Sequence, residues 1–127
     1  MMQVRKTTLA VLILLMTLAC GSAASGGSGL DANLIAREQI DEVGPSNAYN
    51  IIEALRPTWL QKRGPTSFYN EGEVRVYLDN SSLGGIEALR GIHSDNIESI
   101  SFLDERRASF RFGPNHEQGV ILVLTRR

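Results

Sequence analysis

Residues 119–125 read Gly-Val-Ile-Leu-Val-Leu-Thr. Five successive β-formers, residues 120–124, leave no polar position for a solvent-facing side, so the run predicts a central strand covered on both faces. Its flanks, Gly119 and Thr125, mark where the strand enters and leaves the sheet. Gly113 and Gly119 bracket a turn around Phe112-Gly113-Pro114-Asn115, where a positive φ or a close backbone approach calls for glycine.

Upstream, residues 97–103 alternate. Ile97, Ser99, Ser101 and Leu103 are expected on one side of a second strand, with Glu98, Ile100 and Phe102 on the other. Between these strands, residues 104–109 are polar and helix-permissive. Earlier still, Val74, Val76 and Leu78 alternate with Arg75, Tyr77 and Asp79, giving a half-buried strand that turns at Asp79-Asn80-Ser81, where the Asp79 side chain can bond its own turn.

The remaining periodicity is helical. Residues 37–43 form a short helix stopped by Gly44-Pro45, and Ser46 caps a second helix in which Ala48, Ile51, Ile52 and Leu55 share one face until Pro57. Residues 86–90 supply one or two further helical turns after Gly84-Gly85, and residues 61–72 have the punctuation of a long loop. The fold class predicted is α+β, a small mixed β-sheet with short helices.

The chain has 127 residues, 43% of them hydrophobic, with 13 Lys and Arg against 14 Asp and Glu. Such a balance excludes a phosphate-neutralising nucleic-acid binder, and the content of Leu, Ile and Val excludes disorder throughout. The extra length lies at the start. Arg5 and Lys6 precede an uninterrupted apolar run at residues 9–19, ending at the chain's single cysteine, Cys20. This order is that of a secretory signal peptide, and eleven residues at about 1.5 Å each fall well short of a ~30 Å hydrocarbon core.

Thr17-Leu18-Ala19-Cys20 resembles a lipobox, in which the cysteine is fatty-acylated and becomes the new N-terminus. The alternative is cleavage after Ser22-Ala23-Ala24, with Cys20 discarded. Lipidation at Cys20 implies a membrane anchor, and Gly21 after the cysteine implies, by the same resemblance, sorting to the outer membrane. Residues 1–19 are therefore expected to be a lipoprotein-type signal, 20–29 a Gly/Ser tether reaching roughly 15–18 Å, and 30–127 the folded domain. Loss of Arg5 and Lys6 leaves that domain with a net charge of −3.

The order of motifs carries a wider likeness. Asp95, Asn96, Ile97, Glu98, Ser99, Ile100 and Leu103, then Phe112-Gly113, then Gly119, Val120, Ile121, Val123 and Thr125 resemble the end of the plug domain of TonB-dependent outer-membrane receptors. Residues 74–80 resemble an earlier plug strand, with Asn80 where that family usually has Gly. The resemblance implies an outer-membrane-associated, periplasm-facing domain that works as a binding or interaction module. Its partner would be an envelope protein or an outer-membrane barrel, which the residues up to Arg127 do not themselves encode. Asp104, Glu105, Arg106, Arg107 and Arg111 occupy a region that is poor in charge in the family, and they are expected on a solvated helical face.

Loops on a rigid sheet are where recognition resides. The expected contact residues are Phe68 and Tyr69 in the 61–72 loop and Asn115 and His116 in the 114–118 loop; the alternative for the two rings is that they cover the core edge. No catalytic set is expected, because His93 and His116 have only sequence-adjacent partners in Ser94, Asp95 and Glu117, and no strand-to-helix nucleophile turn is present. Neither a metal nor a cofactor is implied. A structural or envelope-assembly role is the alternative to recognition, with a small periplasmic enzyme behind both.

Overall fold

A computed structural model describes residues 31–62 and 72–127. The leader, Cys20, the tether, Phe68, Tyr69 and most of the 61–72 loop lie outside the described residues. Five strands form one mixed sheet: β1 (Leu34–Ile35), β2 (Arg75–Leu78), β3 (Ser81–Gly84), β4 (Ile97–Leu103) and β5 (Val120–Thr125), in the order β1-β4-β5-β2-β3. The all-apolar run is therefore the middle strand. β5 pairs antiparallel with β4 and parallel with β2, so it is hydrogen-bonded on both edges as well as covered on both faces.

Two side-chain layers account for the absence of alternation in β5. Ile121 and Val123 enter the main core with Ile35, Val76, Ile97, Ile100 and Phe102 from the sheet. Ile40 of α1 (Arg37–Val43), and Ala48, Ile51 and Ile52 of α2 (Ala48–Leu55), close that core from above. Val120 and Leu122 point the other way, against Ala108 of α3 (Glu105–Phe112). Short 3₁₀ turns at Pro57–Leu60 and Ile86–Gly91 bring Trp59 and Leu89 into the main core.

The expected alternation of β4 fails at its start. A bulge between Ile97 and Ser99 sets two steps of β4 against one step of β5, from Thr125 to Leu124. The extra residue inverts the phase. Ile97 is thereby rotated onto the face of Ile100 and Phe102 and is fully buried there, rather than joining Ser99, Ser101 and Leu103. The cap of α2 also differs from expectation: Asn47, not Ser46, accepts the N–H of Asn50 at 3.0 Å through its side chain. Ser46 instead binds Ser94, its N–H donating to the Ser94 hydroxyl and its carbonyl accepting the Ser94 N–H.

Asp79 supplies a clamp at the end of the parallel pair. Its backbone has φ +53, and its carboxylate reaches across to β5 rather than into its own turn, accepting the Thr125 N–H at 3.0 Å and the Thr125 hydroxyl at 2.8 Å. The backbone bond foremost, then the hydroxyl bond, holds this carboxyl below its ordinary range. A lowered folded value means the interaction contributes in full above the unfolded carboxylate pKa and is lost as pH falls through the folded one. Asp79→Asn keeps a residue that tolerates positive φ, removes the charge and replaces one of the two accepting oxygens by an NH2 donor. Thermal melts between neutral pH and about 2 should show this variant less stable than the parent at neutral pH, with the gap closing in acid.

Candidate functional site

α3 owes its position to three local features. Asp104 caps it, accepting the Arg107 N–H at 2.8 Å, and Gly113 ends it with φ +91 while its N–H donates to the Ser109 carbonyl. Between the caps, Ala108 is buried against Val120 and Leu122, and the Phe112 ring stacks on Tyr77 with centroids 3.8 Å apart. Ala108 and Phe112 are four residues apart and so share the sheet-facing side.

That docking fixes what the opposite side presents. At 100° per residue, Arg106, Phe110, Arg107 and Arg111 follow one another around the arc away from the sheet. All four are exposed, and Phe110 is 96% exposed. Together with Leu103 at the end of β4, these residues line a shallow surface depression of about 620 Å³. The Arg111 guanidinium lies over the Phe112 ring, 5.3 Å from its centroid. Among the described residues, the ion pairs are Arg37 with Asp41 and Arg90 with Glu87, so neither engages an arginine of α3.

An isolated exposed apolar side chain is ordinary; an almost wholly solvated phenyl ring among three guanidiniums is a chemically defined surface. It offers cations for anionic groups and one ring for an apolar phase. Since the ring contributes nothing to the core, Phe110→Ala should leave stability within about 0.5 kcal/mol of the parent in denaturant titrations.

The loop after α3 is a brace. His116 is only 4% exposed, and both ring nitrogens are engaged: Nδ1 donates to the Gly113 carbonyl at 2.8 Å, and Nε2 accepts from the Tyr77 hydroxyl at 3.0 Å. A carbonyl can only accept, which places the proton on Nδ1. Its role is to tie the loop to β2 through Tyr77. Asn115, with φ +72, is exposed beside it. Of the contact residues expected from sequence, Asn115 is therefore at the surface, His116 is inside, and Phe68 and Tyr69 lie outside the described residues.

His93 and Ser94, the other residues with catalytic potential, line a polar depression of about 390 Å³ with Asp95, Asn47 and Asn50. Ser94 is buried there, its hydroxyl accepting the Ser46 N–H and its carbonyl accepting from the Arg37 guanidinium at 2.7 Å. These bonds join α1, the α1–α2 connection and the start of β4. Among the described residues, no group of three or more His, Cys, Asp or Glu side chains is arranged to hold a metal, and no helix is long and apolar enough to cross a membrane.

Sequence reading anticipated a solvated charged face on α3 but not the ring within it. The available signal was the helical phase: Phe110 falls between Arg106 and Arg107, and that arc faces solvent once Ala108 and Phe112 are assigned to the sheet. Comparison with protein-family models, curated proteins and solved structures finds no match to this chain.

Proposed function

We propose that this chain is a non-enzymatic interaction module of the cell envelope, a plug-like domain anchored through Cys20 that meets its partner with the outer face of α3. The observation that carries the reading is the near-complete exposure of Phe110 among Arg106, Arg107 and Arg111. Two of the side chains with catalytic potential, His116 and Ser94, serve the fold. His116 is held between Tyr77 and Gly113, and the Ser94 hydroxyl accepts the Ser46 N–H. The apolar leader ending at Cys20 supports an envelope location.

The test is a photo-crosslinking residue placed at position 110 of the full chain in cells, with position 42 on α1 as the control. A discrete adduct, to a protein or to lipid, formed from 110 and not from 42 is the expected result. Equal labelling from both positions, or none from 110, would sink the reading.

A further inference from the structure

Resting on that reading of α3, we infer that the partner of its outer face is an anionic phospholipid bilayer, with Phe110 inserted at the headgroup boundary and Arg106, Arg107 and Arg111 on lipid phosphates. The size of the patch favours a lipid surface over a protein. A stable protein interface takes about 800 Å² and some 20–30 residues from each side. Here the exposed surface with the right chemistry is one helix of eight residues, about 12 Å long, plus Leu103. A single ring with neighbouring cations is sufficient for an interfacial contact, because the bilayer supplies apolar depth and phosphates wherever the ring enters.

Charge is distributed to orient the domain. α1, on the far side of the sheet, carries Glu38, Asp41 and Glu42 against Arg37, while α3 with its cap carries three arginines against Asp104 and Glu105. An anionic surface attracts the α3 side and repels the α1 side, although the net charge from residue 20 onward is −3.

The path of the chain agrees. The Phe102 N–H donates to the Asn33 carbonyl at 2.9 Å, and Leu34 pairs with Ser101, so the first residues of the domain run beside the end of β4. Leu103, the next residue of β4, is also the apolar floor of the arginine-lined depression. The described domain therefore begins, at Asp31, close to the patch.

The experiment is sedimentation of residues 21–127 with vesicles. This part retains the compact unit that begins at Asp31 and every buried apolar side chain from Ile35 to Val123. Binding is expected to vesicles of phosphatidylcholine with phosphatidylglycerol and not to phosphatidylcholine alone. Phe110→Ala should weaken it about tenfold, and the combined Arg106→Gln, Arg107→Gln and Arg111→Gln change about a hundredfold, at roughly fivefold per arginine. Circular dichroism verifies that each variant is folded. Equal binding to both vesicle types, or variants that bind like the parent, overturns the inference. If vesicles do not bind but position 110 of the full chain crosslinks to a protein, including a second copy, the bilayer is wrong and the interaction module stands. If neither binding nor an adduct is seen, both fall.

Discussion

Replacing Gly119 by alanine is expected to lower the stability of the domain by about 3–5 kcal/mol, from a left-handed backbone made costly by a side chain and from overpacking. Gly119 sits at φ +85, and an added Cβ would lie 2.6 Å from the Phe102 ring and 2.7 Å from the Leu103 carbonyl oxygen. Neither neighbour is free to yield. Phe102 is buried in the main core, and Leu103 is paired with Val120, the residue after the glycine. The Gly119 backbone is bonded on both sides as well, its N–H to the His116 carbonyl and its carbonyl to the Arg75 N–H. Relief by moving the backbone would therefore detach either the brace loop or β2. For a domain of this size, about 1 kcal/mol corresponds to roughly 4–8 °C, so a melting temperature lowered by at least about 12 °C is the expected measurement. A change of a few degrees would show that the strand can shift.

Ile121→Ala should cost nearly as much, about 3–4 kcal/mol, within the range for large-to-small changes in a close-packed core. Ile121 is fully buried, stands opposite Phe102 on β4 and Val76 on β2, and belongs to the main core. Because β5 is held between two strands, its backbone cannot collapse into the space left by the missing atoms. Leu124→Ala, on the same strand but only half-buried, is the internal comparison and should lose clearly less. Equilibrium unfolding in urea would rank the two, and an equal loss would count against a rigid centre.

The parts of the fold legible in sequence were those whose side chains alone determine the outcome. The run at residues 120–124 has no polar member, so only a two-faced environment suits it, and the sheet provides one. The helix at Arg37–Val43 and the 3₁₀ turns at Ile86–Gly91 likewise follow from local spacing and stop signals. β1 has two residues, and β3 reads Ser-Ser-Leu-Gly and is exposed throughout. Neither contains a period to detect; their strand character comes from the partner that each borders. The phase of Ile97 was hidden for a related reason, since the bulge is a property of β4 paired with β5 and not of β4 alone.

The site divides in the same way. Charges on residues 104–111 reveal a wet helix face wherever that helix goes, whereas the exposure of Phe110 depends on which side docks. Docking is decided at a distance in sequence, by Tyr77 under Phe112 and by Val120 and Leu122 under Ala108. The burial of His116 is equally non-local, because the hydroxyl it accepts from belongs to a strand 39 positions earlier.

The central position of β5 also sets the timetable of folding. Synthesis and export alike deliver strands in chain order, and the last strand among the described residues is the one that both halves of the sheet need. Until it emerges, β1 can pair only with β4 and β2 only with β3. These are separate two-stranded ribbons, each too small to persist in water. Among the described residues, the five-stranded sheet therefore cannot be completed until residues 120–125 have been delivered.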